Sequence, residues 1–248
     1  NMTPPVNTFS PTETRTATAT VTPVLGRDWL QATVSSGFTP RWAHTSDVFN
    51  GKMWVIGGYD GSRRNDVWSS MDGTNWSQET AAAAFSGRLG HTTAVFSSKI
   101  WVIAGNDLSD KRDVWSSTDG ISWIQVIGSA AFPARDNHAT VVFNSKLWVI
   151  AGDSAGTRVN DVWSSADGFT WNQETSAAGF SPRYEPAAAV FNGKLWVIGG
   201  YDGSFKNDVW SSTNGISWTQ ETASAAFPAR AYHPIVVYSS KLWLVGGY

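Results

Sequence analysis

An eleven-residue motif returns four times along the chain: DVWSSMDGTNW at 66–76, DVWSSTDGISW at 113–123, DVWSSADGFTW at 161–171 and DVWSSTNGISW at 208–218. A second segment, K-x-W-[VL]-[IV]-[AG]-G, places Trp54, Trp101, Trp148, Trp196 and Trp243 at spacings of 47, 47, 48 and 47 residues. A period of this size points to a propeller or a solenoid, built from units that cannot bury their own apolar faces alone. One residue is inserted, within DSAGTRVN at 153–160, and that segment is expected to be a loop.

Each unit contains four short strand patterns, in the second unit HTTAVF (91–96), KIWVIAG (99–105), DVWSS (113–117) and ISWIQV (121–126). Asn50-Gly51, Asn192-Gly193 and equivalent Asn-Ser or Ser-Ser steps join the first pair, and Asp-Gly or Asn-Gly steps join the second. These residues tolerate the positive φ of hairpin turns. Four-stranded units repeated radially make an all-β propeller, and five K-x-W segments predict five four-stranded blades.

The last unit stops after its second strand at Tyr248, and residues 19–29 (ATVTPVLGRDW) align with 208–218, matching Gly26 to Gly215 and Trp29 to Trp218. The last blade is therefore expected to combine two N-terminal with two C-terminal strands, leaving no long exposed edge. Residues 1–17, rich in Thr and Pro, have the composition of a tether, so the propeller is expected over 18–248. The chain opens Asn1-Met2, and a preceding segment is expected to have been removed or left out.

The absence of cysteine excludes disulfides, thiolate metal sites and cysteine nucleophiles, without fixing the redox compartment. A net charge of -2 with scattered Lys and Arg argues against nucleic acid, and the longest apolar runs are far too short to span a bilayer. Patterns HExxH, GxSxG, GxGxxG and the P-loop are missing in any suitable context, so neither a catalytic nor a metal site is expected, nor any cofactor. Asn1 and Asn75 stand in N-x-[ST] sequons.

The glycine doublet Gly57-Gly58, followed by Trp68 and Trp76 and preceded by an R-x-x-H element, resembles the Kelch repeat, and this register recurs over about 19–248. The resemblance implies a β-propeller. Three departures are visible: the doublet is Ala-Gly at 104–105 and 151–152, the two aromatics lie further apart than usual, and five blades is fewer than the family commonly has. The SSxDGxxW run also looks like a shortened Asp-box, and the Asn/Ser/Thr/Trp-rich composition is similar to that of microbial surface proteins. A copper oxidase of the galactose oxidase type, another Kelch-like propeller, would need a cysteine-linked tyrosine and is excluded. Since some Kelch propellers isomerise sialic acid, Glu185 with Arg183 and a histidine is the acid/base pairing an enzymatic reading would use.

Fourteen of the fifteen tryptophans occupy three repeat positions, which marks them as core, with Trp42 the exception. Arg41, Arg88, Arg135, Arg183 and Arg230 recur three residues before His44, His91, His138, Pro186 and His233. They either hold the loop entering each inner strand by hydrogen bonds, as the resemblance implies, or form an anion or catalytic ring. Asp66, Asp113, Asp161 and Asp208 are read as turn-capping residues. Asp47 replaces Ala94, Val141, Ala189 and Val236, and so is expected to bond a local backbone amide or to line the channel and meet an ion.

What differs between near-identical units is free of the scaffold's demands. The positions after the ring arginines, and the loops after the doublet, therefore nominate Trp42, Arg63, Arg64, Asp136, Asn137, Tyr184, Glu185 and Tyr232 as a ligand-binding face. Drift on a solvated face is the competing explanation. The function expected is a non-enzymatic extracellular or cell-surface binding or assembly module for a protein or glycan, with self-association in a larger surface assembly a further expectation. The alternatives are a sugar epimerase or glycosidase at the same face, and a purely structural unit of a surface polymer.

Overall fold

The computed structural model describes residues 30–248; the tether at 1–17 and the strand pair expected at 19–29 lie outside the described residues. The first unit contains β1 (Thr45–Phe49), β2 (Lys52–Tyr59), β3 (Arg63–Ser70) and β4 (Ser77–Thr80). The second contains β5 (Thr92–Phe96), β6 (Lys99–Asn106), β7 (Asp110–Ser117) and β8 (Ile124–Ile127). In the third, β9 (Ala139–Phe143), β10 (Lys146–Ser154), β11 (Thr157–Ser165) and β12 (Asn172–Thr175) follow. The fourth has β13 (Ala187–Phe191), β14 (Lys194–Tyr201), β15 (Phe205–Ser212) and β16 (Thr219–Thr222). A last pair, β17 (Ile235–Tyr238) and β18 (Lys241–Leu244), stands as a two-stranded sheet.

The architecture is an all-β propeller, with no helix among the described residues and hence none long and apolar enough to cross a membrane. Four blades are complete, antiparallel and up-and-down in strand order; the expected fifth shows only its inner pair. Its outer pair was assigned to residues that are not described, so the count of five four-stranded blades is met only for the first four. The inner strands β1, β5, β9, β13 and β17 contact one another in succession.

The hairpins form as their residues dictate. Asn50-Gly51, Ser97-Ser98, Asn144-Ser145, Asn192-Gly193 and Ser239-Ser240 all hold φ between +48° and +72°, the left-handed pair of a type I′ turn. The first residue of the glycine doublet sits at a β-bulge between Ile56 and Gly58, with φ of +61° at Gly57 and +53° where Ala104 replaces it.

Two expectations are corrected. The fourth strand of the second unit begins at Ile124, not 121, because the Asp119 carboxylate takes the Ile121 and Ser122 amides at 2.8 and 2.7 Å and withholds them from the ladder. The segment carrying the insertion is not an unpaired loop: β10 and β11 each run one residue longer, and Ala155-Gly156 close them in a tight turn with φ of +52° and +80°.

The core lies between blades. One cluster joins Trp101, Ile103 and Val114 of the second unit to Leu147, Val149 and Trp171 of the third, and equivalent clusters join the first to the second and the third to the fourth. Phe85, Phe132 and Phe180 meet Trp123, Trp171 and Trp218 edge-to-face at 5.2, 5.0 and 5.2 Å. The Asp-Gly turn of one blade covers the K-x-W tryptophan of the blade before it. A Cβ at Gly120 would lie 2.2 Å from Trp54, and one at Gly168 2.1 Å from Trp101. Trp243, in the two-stranded unit, remains 45% exposed.

Candidate functional site

The repeated arginine and aspartate turn out to be partners. Arg88 holds Asp113 through both terminal nitrogens at 2.8 and 2.9 Å and donates to the Ala104 carbonyl at the bulge, while Trp115 Nε1 donates to the same carboxylate at 2.8 Å. Arg41–Asp66, Arg135–Asp161 and Arg183–Asp208 repeat the arrangement with Trp68, Trp163 and Trp210. Burial pushes the Asp208 carboxyl up, but the hydrogen bonds from Arg183 and Trp210 outweigh it and hold the group below its ordinary range. These aspartates are therefore ion-pair partners in the interior and not turn caps. The arginines stiffen the loop entering each inner strand, and Arg183 is fully buried in its ion pair, so that of the acid/base pairing considered above half-buried Glu185 borders a cavity while Arg183 does not.

With its arginine anchored, each loop turns through the variable residues. The residue after Arg pairs with the residue after the doublet, giving Trp42 with Tyr59, Leu89 with Asn106, Asp136 with Asp153 and Tyr184 with Tyr201. The second doublet glycine makes this approach possible, since a Cβ at Gly58 would lie 2.9 Å from the Trp42 carbonyl. The next residue is left-handed in every unit: Ala43, Gly90, Asn137, Glu185 and Tyr232 have φ between +51° and +62°. The Asn137 amide donates to Gly90 and the Glu185 amide to Asn137, at 2.8 and 2.7 Å, forming a backbone collar at the channel mouth. Non-glycine residues in this conformation carry strain, a frequent mark of functional loops.

The nominated residues fall into three groups on this face. Trp42, 55% exposed, lies 5.5 Å from the Tyr59 ring. Tyr232, Tyr184, Tyr201, Phe205 and Tyr248 form a continuous aromatic run with ring centres 5.2–6.2 Å apart, and Arg158 stacks on Tyr184 and Tyr201 at 5.5 and 4.9 Å. Asp136 and Asn137 border a cavity of about 770 Å³, closed by the Asn106–Asp110 loop, the Ala155-Gly156 turn, Tyr184 and Tyr232. Arg63 joins the cavity group from behind, bonding the carbonyl and side chain of Asn106, whereas exposed Arg64 stands apart and pairs with Asp60.

The acidic character of the cavity was missed from sequence. Burial, Asp110 and Asp153 together raise the Asp136 carboxyl to about 7, against a smaller lowering by Asn137 and Arg63. Burial and Asp136 raise Glu185 to about 7 as well. Asp110 and Asp153 were visible as unit-specific residues in the loops after the doublet, and only their convergence needed the fold.

A second cavity of about 510 Å³ occupies the channel mouth beside the first, lined by Trp42, His44, His138, Glu185, Tyr232 and His233 among others. The repeat histidines reach across blade boundaries: His91 Nε2 meets Thr45 Oγ1 at 3.2 Å and His138 Nε2 meets Thr92 Oγ1 at 2.7 Å. Burial, with Arg88 nearby, lowers His91 to about 3 and keeps its imidazole neutral. Lower in the channel, burial raises the Asp47 carboxyl while Thr93 opposes, and Asp47 borders a small cavity with Thr93, Thr140 and Val190. No group of three or more metal-ligating side chains converges among the described residues.

No curated protein sequence gives a significant match to the chain. The model of the KLHDC2/KLHL20/DRC7 Kelch-repeats domain matches residues 43–247, the span that holds the bulges, three of the four Arg–Asp–Trp triads in full and the collar described above. The chain belongs to the Kelch-repeat family.

Proposed function

We propose that this protein is a non-enzymatic binding module that takes a partner protein on the variable loop face of its propeller. The observation that carries the reading is the exposed aromatic surface: Trp42, at 55% exposure, stands on the loop held by the buried Arg41–Asp66 pair, and Tyr232, at 50%, packs against Tyr184 on the loop held by Arg183–Asp208. Aromatics on a fixed frame contribute contact area at little entropic cost. Family membership supports a protein partner, Kelch propellers being protein-binding modules in general.

In the same proposal, residues 19–29 complete the fifth blade. Their alignment with 208–218 supports this, as do the exposed Val236, Val237, Tyr238 and Trp243 of the two-stranded unit, which need a cover. An extracellular or cell-surface setting and the Asp-box-like character of the SSxDGxxW turns belong to the proposal too, on composition and resemblance. A glycan is the second reading, favoured by the contiguous tyrosine run from Tyr232 through Tyr184 to Tyr201.

The test is a paired peptide-array and glycan-array screen of the protein beside its Trp42→Ala and Tyr184→Ala variants. Peptide ligands lost in both variants support the main reading, and glycan ligands lost in both move it to the second. Ligands that both variants retain refute this face as the site.

A further inference from the structure

Leu108 stands where its loop calls for glycine. The loops at 59–62, 106–109 and 201–204 are built alike, the amide of the second residue donating to the carbonyl of the fourth at 3.3, 3.2 and 3.2 Å. The third residue has φ of +109° at Gly61, +125° at Gly203 and +117° at Leu108. A side chain at this φ strains the backbone, and such strain is concentrated where function requires it. Packing does not offset it, because Leu108 is 85% exposed.

The cavity of about 770 Å³ that Leu108 borders is walled by Tyr184, Tyr232, Asp110, Asp136 and Asp153 among others. Asp136 and Asp153 stand directly opposite each other, each amide donating to the other's carbonyl at 3.0 and 2.9 Å. The same bridge holds aromatic pairs in the first and fourth units, whereas like charges in this relation repel. Asp136 accepts Asn137 Nδ2 at 3.0 Å and Asp153 accepts the Gly156 amide at 2.6 Å, and the second oxygen of each has no donor among the described residues. No Lys or Arg lines the cavity. The cations around it are engaged elsewhere: Arg63 bonds Asn106 from behind, Lys111 pairs with Asp107 at 2.9 Å, and Arg158 stacks on Tyr184 and Tyr201. Open carboxylate oxygens beside tyrosine faces suit a flat cation with several donors, which describes a guanidinium better than an ammonium.

We propose that this cavity receives an arginine side chain of a partner protein, and that Leu108 is held at its rim to pack the apolar residue beside that arginine. The proposal rests on the loop-face reading above and names the partner chemistry that face selects. The guanidinium donates to the open oxygens of Asp136 and Asp153 and lies against Tyr184 and Tyr232. Citrulline in place of the arginine would keep the shape and remove the charge, and so would abolish recognition.

The test uses the whole chain at pH 8, above the Asp136 carboxyl at about 7. A blocked Gly-Leu-Arg-Leu-Gly peptide carrying ¹³C-arginine is titrated with the protein and followed by its own NMR signals, beside versions with citrulline for arginine and with alanine for both leucines. The arginine peptide is expected to shift saturably, the citrulline peptide not at all, and the alanine version to bind about tenfold more weakly. Asp153→Asn keeps an acceptor for the Gly156 amide but loses the charge, and is expected to weaken binding about tenfold or more. Leu108→Gly is expected to weaken binding about tenfold while raising the melting temperature, since it relieves the backbone, and Leu108→Ala to weaken binding without that rise. Absence of a saturable shift, an equal response to the citrulline peptide, or full binding by Asp153→Asn and Leu108→Gly overturns the proposal. A lower melting temperature in Leu108→Gly would make the leucine part of the scaffold and overturn its role at the rim. Array ligands lost with Trp42→Ala and Tyr184→Ala that survive Asp153→Asn and Leu108→Gly would discard the arginine site while leaving the loop face as the binding surface.

Discussion

The Arg135 guanidinium holds the Asp161 carboxylate through both terminal nitrogens, at 2.7 and 2.8 Å, and the same Nη1 donates to the Ala151 carbonyl at the bulge at 2.9 Å. Inner loop, bulge and third strand are thereby joined at one buried point. Asp161→Ala strands the guanidinium and is expected to cost about 3–5 kcal/mol in urea unfolding. Arg135→Lys cannot bridge all three acceptors and is expected to lose most of that amount.

Gly168 and Gly193 have similar left-handed backbones, φ +74° and +70°, yet a Cβ at Gly168 would lie 2.1 Å from Trp101 while one at Gly193 meets nothing. Alanine at either position pays the same conformational penalty, so the difference between the variants isolates contact between blades. Gly168→Ala is expected to destabilise by about 1–3 kcal/mol more than Gly193→Ala, measured by thermal melts.

The carboxyls of Asp136 and Glu185 are raised to about 7, well above their ordinary range near 4. Between about pH 4 and 7 the folded state therefore binds more protons than the unfolded state, and stability falls as pH rises through that window. Glu185→Gln and Asp136→Asn are expected to raise the melting temperature at pH 8 by a few degrees, with the gain vanishing near pH 4. A gain equal at both pH values would contradict the assignment.

Residues 1–29 hold the sequence proposed to complete the last blade. Their removal is expected to lower the melting temperature and to increase binding of a hydrophobic dye, because Val236 and Trp243 are left uncovered. A truncated chain as stable as the full one would show that these residues contribute nothing to the propeller.

The repeat made much of the architecture legible. Type I′ steps at Asn50-Gly51 and Asn192-Gly193 are local, and the period of the K-x-W tryptophans places the blades. The Arg–Asp pairs escaped notice because their partners stand 25 or 26 residues apart, on strands whose contact depends on the bulge between them. That separation is nearly constant in four units, a signal that was available. The bonds of His91 and His138 to Thr45 and Thr92 were out of reach in another way: they depend on which residue of the preceding blade faces each histidine, and that acquires meaning only once the register is known.

The central claim is that repeated residues build the propeller while the variable mouth residues serve recognition. A site-saturation library read by protease resistance tests this without any ligand. Substitutions at Asp113, Asp161, Gly120, Gly168 and Phe132 are predicted to destroy resistance, whereas those at Trp42, Asp136, Tyr184, Glu185 and Tyr232 leave it unchanged or raise it. If the mouth residues prove as intolerant as the repeated ones, they belong to the scaffold and the account of this face as a binding surface fails.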